Sequence, residues 1–209
     1  MTNKNNKIQQ WQNPLIYLLA FSSGFCIMGI ELLGGRILAV FMLSLSFGYL
    51  AGGKLSTKAA SLNRYGLIFI CAGIAILPVA FSSEWLMEAI FLAIEDTRYG
   101  SLLASMALFF IPTVILGMIS PYSVRLLVTD KNKSGQVAGF LYFVSTLGSA
   151  LGTIITSFYL VLLFEVNDII MVFSATLLVL GVSAMLFNRV NQQKTLSEND
   201  NNHQGVAHE

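Results

Sequence analysis

The chain has 209 residues, of which 55% are hydrophobic and only 11% are charged. A soluble domain usually carries about 25% charged residues, so this chain lacks the charge that a water-facing surface needs. Its 12 Lys and Arg residues are balanced by 11 Asp and Glu residues, which leaves no basic field for nucleic acid. The composition excludes soluble, disordered and nucleic-acid-binding classes. It predicts a multi-pass membrane protein whose main partner is the lipid bilayer.

The first apolar region, residues 15–53, is almost twice as long as one membrane span and contains the charged residues Glu31 and Arg36. It forms either one long helix or two helices that turn at Gly34-Gly35, where glycine permits the backbone angles of a turn. The apolar pattern alone leaves both alternatives open.

Four later apolar runs each predict one transmembrane helix, because about 20 residues at a rise of about 1.5 Å cross the hydrocarbon core. They cover residues 65–81, 102–120, 137–164 and 169–188. Between the first two, residues 83–100 carry Glu84 and Glu88 among apolar residues, which predicts an amphipathic helix on the outer surface.

Loop charge favours the hairpin, because lysine and arginine collect in cytoplasmic loops. Basic residues lie near the N-terminus and in the loops at 54–64 and 125–133. Six spans place all three segments and both termini in the cytoplasm. We therefore expect an all-α transmembrane helical bundle of about six spans. Its parts are an N-terminal cytoplasmic segment (1–13), the transmembrane domain (14–188) and a polar, disordered cytoplasmic tail (189–209).

Glu31 and Arg36 are candidate functional residues, because an ionisable group at membrane depth costs about 2.5–3.5 kcal/mol on insertion scales. If the chain turns between them, both lie near the interface and are structural. If it does not, they form a substrate or proton site. In a substrate site, Glu31 would hold a cation with Tyr49 and Tyr142 as partners through cation–π attraction.

Small residues recur four positions apart on two predicted helices, a spacing that forms a flat strip and lets helices approach closely. We interpret them as helix-packing residues: Gly48 and Gly52, Gly148 and Gly152, and Ser145 and Ser149.

Motifs that carry enzyme chemistry are missing from the sequence, including a nucleotide-binding glycine loop and the H-E-x-x-H zinc motif. Cys26 and Cys71 lie in apolar runs, and both histidines lie in the polar tail. We therefore expect no catalytic residue, no cofactor and no metal, and we do not expect an enzyme.

Four stretches together resemble the membrane-bound spermidine-synthase-like proteins. They are residues 24–39 (GFCIMGIELLGGRILA), 41–56 (FMLSLSFGYLAGGKLS), 111–126 (IPTVILGMISP followed by VRL) and 135–153 (GQVAG followed by STLGSALGT). In that family a transporter-like helical domain, similar to part of a major-facilitator fold, precedes a soluble synthase domain. The resemblance extends to about residue 188 and implies a bacterial inner-membrane protein. The synthase domain has no counterpart in these residues, so no catalytic residue is carried over.

The resemblance implies two alternative functions. In the first, the chain is a non-catalytic module that docks or serves a separately encoded synthase in polyamine-related metabolism, through the loops at 54–64 and 125–133. In the second, it is a small transporter of a cationic or other small molecule, in which two copies of the chain face one pathway.

Overall fold

The computed structural model describes residues 2–33, 38–57, 60–93, 96–128 and 130–206, and these residues form an all-helical bundle. The helices are α1 (Thr2–Leu33), α2 (Leu38–Thr57), α3 (Leu62–Ala93), α4 (Thr97–Gly117), α5 (Ile119–Leu127), α6 (Ser134–Ile155), α7 (Val161–Leu163) and α8 (Val166–Val206). A 3-10 turn, Lys131–Lys133, precedes α6, and a π-helical segment, Thr156–Leu160, joins α6 to α7. The expected fold class is confirmed.

Five stretches of the described chain are long and apolar enough to cross a membrane. They are Asn13–Ile30, Leu62–Ser82, Tyr99–Leu127, Ser134–Leu163 and Val166–Gln192. The apolar region 15–53 forms the two separate helices α1 and α2, and α2 has 20 residues. At about 1.5 Å per residue, α2 is about 30 Å long. The predicted turn at Gly34-Gly35 lies outside the described residues.

Two helices extend further than the sequence analysis predicts. Residues 83–93 continue α3 and do not form a separate surface helix, because neither glycine nor proline interrupts the chain there. α8 continues through Val206, where a disordered tail is expected. Helix-forming Gln, Lys, Leu and Glu residues follow residue 191, and the next glycine is Gly205.

The helices pack in three principal pairs, α1 with α6, α2 with α4 and α3 with α8. In the first pair, Gly148 lies against Phe21 and Gly152 against Phe25, so α1 and α6 run parallel. In the third pair, Gly73 lies against Leu178, whereas the earlier Gly66 lies against the later Met185. α3 and α8 are therefore antiparallel.

The contacts of α1 with α6 are repeated between α4 and α2. Each of six glycines lies so close to the backbone of the partner helix that an added side chain would meet it, and the six contacts form three equivalent pairs. Gly24 meets Ser145 as Gly117 meets Leu45, Gly148 meets Phe21 as Gly48 meets Val114, and Gly152 meets Phe25 as Gly52 meets Met118. The chain thus consists of two related halves, α1–α3 and α4–α8.

The two halves are inverted relative to each other. α5 leads into α6 through the short connection 128–133 and packs against it, so α4–α5 runs opposite to α6. Because α1 is parallel to α6, α1 also runs opposite to its counterpart α4. A pseudo-twofold axis perpendicular to the helices therefore relates the halves.

Apart from Asp130, which lies beside Lys133, the exposed charges of the described residues separate by sign to the two ends of this bundle. One end, called the basic end, carries Lys54, Arg64, Arg125, Lys133 and Arg189. The other, called the acidic end, carries Glu88, Asp96, Glu165 and Asp168. The basic loops that the sequence analysis assigns to one side of a membrane thus lie together.

Candidate functional site

A cavity of about 530 Å³ lies between α1, α2, α4–α5 and α6. This volume falls within the range of about 300–1,000 Å³ that is usual for small-molecule sites. The walls come from both halves of the chain, so the cavity exists only because the two halves pack together.

The pseudo-twofold axis passes through the cavity, because ten of its thirteen lining residues occur in equivalent pairs. The pairs are Ser23 and Leu116, Ile27 and Ser120, Met28 and Pro121, Leu45 and Ser145, and Tyr49 and Ser149. The sequences of the pairs differ, so the axis relates backbone positions and leaves the two walls chemically distinct. The hydroxyl groups of Ser145, Ser149 and Thr146 concentrate on α6.

Two serine hydroxyls of the walls, those of Ser23 and Ser149, donate to backbone carbonyls. Ser23 donates to the carbonyl of Ala20 at 2.9 Å. Ser149 lies within hydrogen-bond distance of the Gly24 carbonyl at 3.2 Å and of the Ser145 carbonyl at 3.1 Å. The bond to Gly24 crosses from α6 to α1 and so connects two walls of the cavity. With its proton engaged, each hydroxyl retains oxygen lone pairs that can accept from a ligand.

Tyr49 and Tyr142, two of the predicted substrate-binding residues, both line this cavity although 93 positions of chain separate them. Their side chains are 49% and 52% exposed, respectively. Each tyrosine therefore lines the cavity while about half of its side chain remains exposed. The structure brings this predicted pair together at one site.

The structure describes less of the other two predicted substrate-binding residues, Glu31 and Arg36. The backbone of Glu31 belongs to the last turn of α1, four residues beyond the lining residue Ile27, and so it continues the same helix face. The Glu31 side chain and the whole of Arg36 lie outside the described residues.

Ser145 and Ser149, predicted as packing residues, also line the cavity, whereas Gly48, Gly52, Gly148 and Gly152 lie at helix contacts outside its lining. Sequence analysis missed Ser23, Ser120 and Thr146. The available signal was weak: hydroxyl residues at helical spacing are common in membrane helices, where they bond to their own backbone.

Within the described chain no group of His, Cys, Asp and Glu side chains is arranged to hold a metal ion. Cys26 is buried and Cys71 is exposed, and both are free thiols. The described walls can therefore bind through hydroxyl groups, aromatic faces and apolar contact.

Comparison with protein-family models, with curated proteins and with solved structures finds no match to this chain.

Proposed function

We propose that the chain is a membrane carrier for a small organic cation, with the cavity between its two halves as the binding site. The observation that carries the proposal is the position of the cavity on the axis of an inverted repeat. Transporters built from inverted repeats bind substrate near the bilayer midplane at the interface between the repeats. Each six-helix half of a major-facilitator transporter contains such a nested repeat of three helices.

The chemistry of the walls supports a cationic ligand. A cation near a tyrosine ring gains about 0.5–1 kcal/mol at exposed sites and about 2 kcal/mol or more when it is desolvated. Tyr49 and Tyr142 offer two such rings, and the wall hydroxyls offer lone pairs to ammonium protons. Glu31 is the proposed counter-charge, because its backbone continues the cavity-lining face of α1.

The working unit of this proposal contains two copies of the chain that face each other. Tyr49 and Tyr142 are half exposed on the open side of the cavity. A second copy would cover these exposed rings and enclose the ligand between two inverted repeats.

Uptake into proteoliposomes tests the proposal, with radiolabelled putrescine and tetramethylammonium as probes. Glu31→Gln should abolish uptake, and Tyr49→Leu or Tyr142→Leu should weaken apparent affinity by about threefold to thirtyfold. Tyr159→Leu is the matched control, because Tyr159 is an exposed tyrosine outside the cavity lining. If wild-type vesicles accumulate neither probe, or if Tyr159→Leu is as damaging as the cavity variants, the proposal is wrong.

A second function, docking of a separately encoded synthase-like protein in polyamine-related metabolism, is favoured by the basic end. This end gathers the exposed residues Lys54, Arg125 and Lys133 from two loops, and such a surface attracts an acidic partner. Purification from native membranes in mild detergent tests this function. A soluble synthase should co-purify and should be lost with Arg125→Glu, whereas purification of the chain alone would count against docking.

For either function, we place the protein in a bacterial inner membrane with the basic end and both termini in the cytoplasm. The distribution of lysine and arginine supports this orientation.

A further inference from the structure

α5 forms the wall of the cavity nearest the basic end. It comprises the 9 residues Ile119–Leu127. Its first turn brings Ser120 and Pro121 to the cavity, and its last turn carries the exposed Arg125 at the basic end. Any movement of α5 would therefore change access to the cavity from that end.

A proline interrupts the helix at the junction between α4 and α5. α4 ends at Gly117 and α5 begins at Ile119, because Pro121 has no N–H to donate to the Gly117 carbonyl. The Met118 N–H donates instead to Ile115 at 3.1 Å, and the Tyr122 N–H reaches the Met118 carbonyl at a long 3.4 Å. The regular α-helical hydrogen-bond pattern is thus interrupted at Met118, although Met118 itself keeps helical backbone angles.

The equivalent position in the other half of the chain has no such break. Met118 corresponds to Phe25, and α1 continues without interruption past it to Leu33. The bundle geometry therefore does not require a break at this level. The break follows from Pro121 of the second half, whose equivalent in the first half is Met28.

A buried polar cluster holds the middle of α5 against the beginning of α3. The Tyr65 hydroxyl lies 2.6 Å from Ser123 Oγ, and Ser123 donates its own proton to the Ile119 carbonyl at 2.7 Å. Tyr65 is therefore the donor to Ser123. Beside it, the Ser61 N–H donates to the Tyr122 hydroxyl oxygen at 3.1 Å, and the Tyr65 and Tyr122 rings stack 5.9 Å apart.

We propose that α5 is a hinged gate between the cavity and the basic end, and that the Tyr65–Ser123 hydrogen bond is the latch that holds it closed. Rotation about Gly117-Met118 would separate α5 from α3 and carry Ser120 and Pro121 away from the cavity. Tyr65 lies in the first turn of α3, near the basic end. When the latch opens, the hydroxyls of Tyr65 and Ser123 can therefore bond to water. This inference rests on the proposed function, since a gate serves a cavity that takes a ligand.

Thiol accessibility tests the gate directly. Ser120→Cys is introduced in a Cys26→Ser, Cys71→Ser background, and a membrane-impermeant methanethiosulfonate is added on the side of the basic end. Tyr65→Phe keeps the buried ring and removes the latch hydroxyl, so the reaction of Cys at position 120 should accelerate about tenfold. That factor corresponds to about 1.4 kcal/mol, within the range for removing one partner of a buried hydrogen bond.

Further variants distinguish release of the latch from general loosening of the protein. Ser123→Ala removes the acceptor of the same bond and should accelerate the reaction by a similar factor, and the double variant should add little to either single change. Tyr159→Phe, which removes a hydroxyl far from the latch, should leave the rate unchanged. Ser56→Cys, at a buried position in the last turn of α2, reports general loosening of the same end.

An unchanged rate at position 120 in folded Tyr65→Phe and Ser123→Ala proteins would overturn the gate. Equal acceleration at position 56 would also overturn it, because the end would then unfold as a whole. The readout does not depend on transport. Acceleration at position 120 in a protein that takes up neither putrescine nor tetramethylammonium would support the gate and reject the proposed cargo.

Discussion

A methyl group on Gly148 would collide with the carbonyl oxygen of Phe21, because α6 and α1 touch backbone to backbone at this point. Gly48 has the same relationship to the Val114 carbonyl in the contact of α2 with α4. In a bilayer, close packing of this kind stabilises helix association through van der Waals contact. The two contacts hold the cavity walls from opposite sides of the pseudo-twofold axis.

Gly148→Ala and Gly48→Ala should each lower the free energy of unfolding by about 1–3 kcal/mol, the usual cost of forcing an extra group into a packed contact. Unfolding in mixed lipid–detergent micelles measures the change. Gly139 is the matched control, because a methyl group there meets no atom within 4 Å. Gly139→Ala should be neutral or stabilise the helix by up to about 1 kcal/mol. Equal losses at all three positions would contradict the backbone contacts.

The contact of α3 with α8 contains a buried hydroxyl whose bond crosses between helices. Ser174 Oγ donates to the Gly73 carbonyl at 2.8 Å. Ser174→Ala should destabilise the protein by about 0.6 kcal/mol and by at most about 1.7 kcal/mol, the measured range for hydrogen bonds between membrane helices. Thr176 bonds within its own helix, to the Val172 carbonyl at 2.8 Å, and is exposed. Thr176→Val should therefore change stability less than Ser174→Ala in the same unfolding measurement, and the reverse order would contradict the assignment.

Thr156 has a buried hydroxyl without a hydrogen-bond partner in the described structure. It opens the π-helical segment and lies against Gly29 of α1. An unsatisfied buried polar group costs about 1–3 kcal/mol, and valine has nearly the same shape as threonine. Thr156→Val should therefore leave the free energy of unfolding unchanged or raise it by about 1 kcal/mol. Thr153→Val is the control, since Thr153 donates to the Ser149 carbonyl at 3.0 Å. A larger loss at position 156 than at position 153 would show that the hydroxyl has a partner.

The apolar runs predict the helices well because membrane insertion depends on local composition. Leu62–Ser82 and Val166–Gln192 lie close to the predicted spans. The pairing of these helices is not local. The four-residue spacing of Gly148 and Gly152 identifies a contact strip, but α1, its partner, lies more than a hundred residues earlier, and nothing in the strip specifies it.

The cavity was difficult to predict for the same reason. Tyr49 and Tyr142 were singled out for their aromatic chemistry, but their meeting depends on α2 and α6 taking equivalent places in an inverted repeat. Pro121 shows the limit of local signals. The predicted span 102–120 ends just before Pro121, and α4 does end nearby at Gly117, but packing against α2, α1 and α3 supports a further helix beyond it.

The separation of charge predicts which end of α3 faces the cytoplasm. Asn63 lies beside Arg64 at the basic end, Glu88 lies at the acidic end, and both are exposed on α3. The 25 positions between them span about 38 Å of helix, enough to place them on opposite sides of a bilayer. Without Cys26 and Cys71, Asn63→Cys should react with an impermeant thiol reagent only in inverted membrane vesicles. Glu88→Cys should react only in right-side-out vesicles. Labelling of both positions from one side would show that α3 does not cross the membrane, and a reversed pattern would place the basic end outside.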